Sequence, residues 1–577
     1  MRNSERLPAC FVIVAGVSLA TTPALANMAV SKSHIVAMQG ARKNAQSPYL
    51  NCFGAACVPQ ARSATFLISN GTTKNVSCSG GVCEATRQNA VLNVGDLENL
   101  LADGNVEVTT GTKGSGVADL QILKDLSWTS AATLTLSVNG YIYVSRPVSI
   151  AGSGNLILDD NTAGNGGDVI IAPKTSITFA TTASQLQING TNYKLENKIV
   201  NLANDINANP SGAFALSQSI SGGKWFTTPI QATFTGTFEG LGNVIKKFVL
   251  NDNTDVWIAF FLSTDSGGVI RDVGLDGGSI TNNNAQGGTE VGSLVAVLDD
   301  NAGSSTIYNC WSSATVNDQN GPIGEVGGLA GTVGPGGAII ASFETGAVTG
   351  PYSANGATGS ATGGLVGDNF GQISYSHETG SISVPNAGPG YSNMGGLTGY
   401  GNGSNVLITF SYSTGAVTYE NQTSQGGFEG GFTSYFDGQT LDHDYSTGSV
   451  TMANSVTLLD FLGEGGFTGV PSPNITNSYS SGLVTESNSS GYFGGFIGDG
   501  GAPCCSNDAW DTDPGGVQQN WGTSGSDSGV TGVTPLTDKI MRCKKMPCTL
   551  PPGFDSNWGM DPSINNGYPY LLANPPM

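Results

Sequence analysis

The chain has 577 residues, 84 of them glycine, and only 11% are charged. Its 22 basic residues stand against 43 acidic ones, a formal charge of −21, which argues against nucleic acid or an anionic membrane as partner. Hydrophobic residues make up 38% and recur in regular columns, which excludes a disordered chain.

Residues 1–26 read as a secretory signal peptide. Arg2 and Arg6 precede an apolar run from Ala9 to Ala20, and Ala24-Leu25-Ala26 forms an A-x-A cleavage site before Asn27. The run is short for a membrane span, and no later run reaches about 18 apolar residues, so no integral membrane segment is expected in the mature chain. Asn27 is not the cysteine that a lipoprotein anchor needs. The expected location is secreted or on the cell surface, with the periplasm as the alternative.

Residues 27–120 read as a leader and N-terminal cap, with a strand at Ala64 to Ser69, a helix at Val94 to Ala102 and a turn at Asp103-Gly104. Residues 121–215 hold short β-rich runs, several alternating with period two: Thr133 to Val138, Tyr141 to Val144, Asn155 to Leu158 and Ser176 to Phe179. These are expected to be irregular coils, interrupted by a helix from Ile199 to Asn207 that ends before Pro210. Gly164 to Asp168 has calcium-turn composition but occurs once, so an ordinary turn is the simpler reading.

Residues 216–500 carry the strongest signal. A Gly-Gly-aliphatic or Gly-Gly-Phe phrase recurs with its second glycine at Gly328, Gly364, Gly396, Gly431, Gly466 and Gly495, spaced 29 to 36 residues apart. Between these copies a second phrase aligns on Ala314, Gly346, Gly380, Gly415, Gly448 and Gly482. Three residues earlier stand Trp311, Phe343, His377, Tyr412, Tyr445 and Tyr479, and seven earlier an Ile or Leu. Two residues later comes Val316, Val348, Ile382, Val417, Val450 or Val484. A period of this size marks units that bury their apolar faces only by stacking. Gly, Ser, Thr and Asn in the gaps favour strand over helix. The pattern predicts an all-β parallel β-helix of about 11 to 15 coils at the ~4.8 Å inter-strand spacing, glycine serving tight corners and close backbone approach. Exposed strand edges need covers, and residues 501–577 are read as the C-terminal cap.

In an exported chain, Cys52/Cys57, Cys78/Cys83, Cys504/Cys505 and Cys543/Cys548 read as disulfides near the two ends; zinc is disfavoured because no histidine is near. Cys310 falls in the column of Ser342, Ser376, Ser411 and Ser478 and reads as one more small residue.

The best candidate for chemistry is Asp442-His443-Asp444. Two carboxylates two apart on a strand share a face, which suits sugar or calcium binding, against the plainer reading of a solvated face. No third acid or basic partner accompanies them, and with three histidines in all, histidine acid–base catalysis is poorly supported. His443 shares a column with Tyr375 and Phe410, and His377 stands in the aromatic column, so both read as ring substitutes. No cofactor or metal is expected.

Val326 to Gly331, Thr362 to Asn369 and Met394 to Gly399 resemble the GLUG repeat of bacterial surface proteins. Phe234 to Ile245 resembles the segment preceding such repeats, and Asn566 to Leu571 their C-terminal close. Gln121 to Ile188, with Leu126-Ser127-Trp128-Thr129, resembles filamentous-haemagglutinin-type adhesins. The resemblance implies a right-handed parallel β-helix and an adhesin-like role, binding carbohydrate, host protein or itself through a repetitive face, and it implies no catalytic residue. The Asn-Pro-rich secretion signatures of two-partner adhesins are not evident, and no membrane barrel follows residue 500. The expectation is therefore a protein that is not an enzyme; the competing reading is a lyase or glycosidase on the same scaffold, for which such folds cluster carboxylates on neighbouring coils.

Overall fold

A computed structural model describes residues 51–52, 57–58 and 65–576, except 112–115, 163, 165, 285–286, 302, 319–322, 352–358, 386–391, 404–405, 421–426, 439, 454–462, 471–473, 486–491, 500–503, 514–520 and 523–529. The signal-peptide and leader expectations, and the Cys52/Cys57 thiols, lie outside the described side chains.

The chain forms a parallel β-solenoid of about 11 turns. One coil shows the plan: Gly324–Gly327, a Gly-Leu turn, Ala330–Val333, Gly337–Ile340, then the short strands Phe343–Glu344 and Val348–Thr349. Each strand pairs in parallel with its counterpart one repeat on, as in Val326↔Thr362, Ala330↔Val366, Ile339↔Ile373, Phe343↔His377 and Val348↔Ile382. The expected columns are thus physical rows. Ile307, Ile339, Ile373, Ile408, Leu441 and Ile475 point inward with no exposure, joined by Leu329, Leu365, Leu397, Phe432, Phe467 and Phe496 from the Gly-Gly phrases.

Close contact, not unusual torsion, is what the repeated glycines supply. A Cβ on Gly328 would lie 2.2 Å from the Gly364 carbonyl oxygen and 2.3 Å from Glu344 Cγ; one on Gly415 would lie 1.7 Å from the Gly380 oxygen. The positive-φ corner falls instead to a column of other residues: Asp272, Asn309, Ala341, Tyr375, Phe410, His443, Asn477 and Asn507, all with φ between 50° and 60°. Asn and Asp tolerate this conformation; for Ala, Tyr, Phe and His it costs about 1 to 2 kcal/mol each. Ring stacking offsets the cost, with Tyr375–Phe410 at 5.2 Å and Phe410–His443 at 4.9 Å.

The residue after that corner forms a ladder of its own. Backbone nitrogens of Cys310, Ser342, Ser376, Ser411, Asp444 and Ser478 each donate to the side chain one coil on: Ser342, Ser376, Ser411, Asp444, Ser478 and Asp508. Cys310 is buried and free, as its column implied.

Two helices interrupt the ladder, Val94–Asp103 and Ile199–Ala208, each close to its expected span. Asn93 caps the first by accepting from Gly95 N. Near the second, the antiparallel pairing Leu186↔Tyr193 breaks the parallel run, and two buried cores lie on either side. Arg271 joins them, pairing with Asp168 (3.0 Å), Glu239 (3.3 Å) and Asp272 (2.9 Å) and donating to the Val169 carbonyl. Gly164 has φ of 71° and Asn161 accepts from Gly166 N, an ordinary turn as expected, while Asp168 serves the Arg271 cluster.

Disulfides join Cys78–Cys83, Cys504–Cys505 and Cys543–Cys548, as expected. The C-terminal segment lies along the flank of the ladder. Phe554, Trp558, Tyr568 and Leu571 pack on Tyr412, Tyr445 and Tyr479, and Asn574 reaches Ser376, His377 and Phe410.

Candidate functional site

The structure separates the two expected site carboxylates. His443 has φ of 57°, and this corner breaks the strand alternation that would have put Asp442 and Asp444 on one face. Asp442 turns outward, accepting from Thr476 Oγ1 (2.8 Å) and Asn477 Nδ2 (2.9 Å), with His443 Nδ1 at ion-pair distance, 3.0 Å. Asp444 turns inward to full burial, where it occupies a serine position. Burial pushes the Asp444 carboxyl well above the ordinary range, and its Oδ1 accepts from Ser411 N at 2.8 Å. His443 in turn reaches Asp555 of the C-terminal segment at 3.0 Å. These residues hold that segment in place.

The aromatic column Trp311, Phe343, His377, Tyr412, Tyr445 and Tyr479 is also structural, stacked ring on ring at 4.5 to 5.9 Å. His377 lies between Phe343 and Tyr412, and burial drops its pKa to about 3, leaving a neutral ring.

A different pair of columns gathers acidic and aromatic groups at a partly open position. The first runs Glu290↔Glu325↔Ala361↔Asn393↔Phe428. The second runs Thr332↔Asp368↔Tyr400↔Tyr435. They touch at both ends: Thr332 Oγ1 donates to Glu290 Oε2, and the Phe428 and Tyr435 rings lie 5.9 Å apart. Glu290, Glu325, Asp368, Tyr400, Phe428 and Tyr435 are all half-buried, neither core nor fully solvated.

Electrostatics divide this double column. Burial first, then the charge of Glu325, pushes Glu290 up to about 9. Burial and Glu325 likewise raise Asp368 to about 8, and burial raises Glu325 to about 7. Near neutral pH the cluster therefore holds protonated carboxyls beside one that is partly ionised, able to donate and accept hydrogen bonds together. At the other end, Tyr400 and Tyr435 stack at 5.2 Å, and Asn402 Nδ2 donates to the Tyr400 hydroxyl at 2.9 Å. An aromatic face flanked by carboxyls suits a sugar ring, stacking on its C–H face while binding its hydroxyls. The carboxyl set also has the components of acid–base work on a glycosidic bond. Among the described residues no group of three or more His, Cys, Asp or Glu could hold a metal ion.

A signal for this site was present. Its members other than Glu290 stand two residues before or five after the first glycine of a Gly-Gly phrase, as with Glu325 and Thr332 around Gly327 and Phe428 and Tyr435 around Gly430. Side chains vary from coil to coil at these positions, so the invariant residues of the repeat do not reveal them.

No protein-family model matches the chain, and no curated protein does. Among solved structures it is similar to a protein from Bacteroides ovatus named as a candidate immunoglobulin A1 protease, at 18% identity and a TM-score of 0.35, covering 66% of this chain and 93% of that one. A protein named IgA1 protease is similar at 20% identity and a TM-score of 0.36; the match covers 53% of this chain and spans 24% of that protein. The expectation that the chain is not an enzyme is corrected here, because both neighbours carry the name of a protease. Likeness at this level concerns the fold and assigns no catalytic residue. The neighbours' names do not include the GLUG or haemagglutinin families. Among the described residues no helix is long and apolar enough to cross a membrane.

Proposed function

We propose that the protein is an exported, adhesin-like ladder that binds carbohydrate through the double column of Glu290, Glu325, Asp368, Tyr400, Phe428 and Tyr435. The observation that carries this reading is the half-buried Tyr400–Tyr435 stack continuing, coil by coil, into carboxyls that favour the protonated state. Side chains set by strand register on a stacked scaffold are pre-ordered, so little entropy is lost when a ligand binds. Repetition along the ladder lets weak contacts to successive sugars add. The GLUG and haemagglutinin resemblance agrees with a surface role, and the signal-like first 26 residues agree with export. Titrating intact protein against neutral oligosaccharides tests it: saturable binding is expected, and its absence across the panel at millimolar sugar overturns it.

The second reading is a carbohydrate-active enzyme, favoured by the three carboxyls on neighbouring coils. Here Glu290 would be the proton donor and the more readily ionised Glu325 the base or nucleophile. Release of new reducing ends by the native chain, lost in Glu325→Gln, would establish it over simple binding.

A further inference from the structure

The cations of this acidic chain are segregated. Between Arg271 and Lys539 the sequence contains no Lys or Arg. Arg271 itself is committed to Asp168, Glu239 and Asp272. Ahead of this stretch, exposed Lys224, Lys246 and Lys247 lie together at the start of the longest sheet; behind it, Arg542 and Lys544 pair with Asp538. Strand Lys224–Trp225 pairs with Val249 and Leu250, while Ser221 pairs with Lys246. Gly222 N donates to the Lys246 carbonyl at 2.7 Å, Val249 N to the Gly223 carbonyl at 3.0 Å, and the Trp225 indole to the Gly222 carbonyl at 2.8 Å. The three lysines are thus fixed around one Gly-Gly corner.

Beside them Phe226 is 70% exposed, more than any other large apolar side chain described. Among the described residues none of the three lysines lies within ion-pair distance of a carboxylate, although Asp276 stands next to Lys246 in register. An exposed aromatic ring marks a contact surface, and the lysines around it supply charge that a partner's carboxylates can meet.

We infer that this corner is a self-association surface, with Lys224, Lys246, Lys247 and Phe226 of one molecule docking on the cation-free acidic ladder of a second copy. Charge complementarity selects that occupant. Residues 277–538 offer exposed Asp300 and Asp437 with no Lys or Arg in that stretch to answer them. The net charge of −21 on each copy opposes approach, but at physiological salt the screening length is about 8 Å, so the corner responds to the carboxylates facing it. Phe226 supplies apolar burial that salt does not screen. This surface is separate from the carbohydrate face proposed above and does not depend on it.

Sedimentation velocity of the mature chain over a range of concentrations tests the assignment. Concentration-dependent association is expected at physiological salt. Each lysine reversed in K224E, K246E and K247E should weaken it by up to about fivefold. Phe226→Ser should weaken it at every salt concentration, and circular dichroism and melting of each variant should match the parent. A monomer at all concentrations, or association unchanged in the triple reversal, overturns the inference. So does a monomer that binds vesicles of anionic phospholipid or an acidic polysaccharide through the same lysines, since the corner would then belong to that partner.

Discussion

His377 Nδ1 lies 3.2 Å from Asn574 Oδ1, a contact between residues 197 positions apart. Asn574 also donates to the carbonyls of Ser376 (3.1 Å) and Phe410 (3.0 Å) and is itself buried. One side chain thus ties the last described residues to two coils of the ladder.

Asn574→Ala should therefore release the end of the C-terminal segment. Three hydrogen bonds are lost and two ladder carbonyls are left with one partner fewer, a cost of about 2 to 3 kcal/mol. Urea denaturation checks the magnitude, and limited proteolysis should show earlier cleavage after residue 541 than in the parent.

The tyrosine column predicts a contrast between residues of identical type. Tyr412 and Tyr445 bury hydroxyls that have no hydrogen-bond partner among the described residues, whereas Tyr479 donates to the Pro569 carbonyl at 2.6 Å and accepts from Asn565 at 2.8 Å. Removing an unpaired buried hydroxyl relieves a desolvation cost; removing a paired one leaves its partners unmet. Tyr412→Phe and Tyr445→Phe should be neutral or stabilise by about 1 kcal/mol, and Tyr479→Phe should destabilise by about 1 to 2 kcal/mol. Thermal melts of the three variants decide it.

Gly415→Ala tests the close packing between coils. Its Cβ would fall 1.7 Å from the Gly380 oxygen, which is backbone and cannot swing aside, so the ladder must spread locally at a cost of about 3 kcal/mol or more. Gly403→Ala places a methyl where the nearest neighbour is Val406 at 3.7 Å, but φ is 127°, so its cost is torsional and should be about 1 to 2 kcal/mol. A larger loss of stability at 415 than at 403 is the expected order.

Stability should decline from mild acid toward alkaline pH. Burial raises Glu344 from 4.5 to about 8 and Glu429 to about 8, and raises Glu378 well above 4.5. Between about 4.5 and 8 the folded chain holds protons that the unfolded chain has released, so stability falls as pH rises through that window. His443 acts in the same direction. Burial lowers its pKa, but Asp442 and Asp555 outweigh that and raise it, so its contribution is full in acid and lost as pH rises above 6.5. Below the ordinary carboxylate range the sign reverses, because His443 holds Asp442 and Asp555 low despite their burial. Melting temperature against pH should peak in mild acid, and Glu344→Gln should flatten the alkaline limb.

The ladder was legible because its cause is periodic: Ile339, Phe343, Gly346 and Val348 recur at fixed offsets and each meets its own counterpart one coil on. The Ser column correctly accommodated Cys310 for the same reason. What strand alternation could not convey was the positive φ at Tyr375, Phe410 and His443, since those residue types do not announce a left-handed corner. That single torsion sends Asp444 into the core and Asp442 outward. The carboxyl and tyrosine columns were hidden for another reason: Glu325 and Asp368 are distant in sequence, and only the fold of the two strands about Gly327-Gly328 brings their rows together.

Binding at that double column is the claim on which the functional account turns. Hydrogen–deuterium exchange of the intact protein with and without a saturating oligosaccharide, repeated on a Tyr400→Ala/Tyr435→Ala variant, reads its location directly. The account predicts protection confined to the strands around Asn393, Tyr400, Phe428 and Tyr435, and its loss in the variant. Protection elsewhere on the ladder, or binding that survives without both tyrosines, would contradict it.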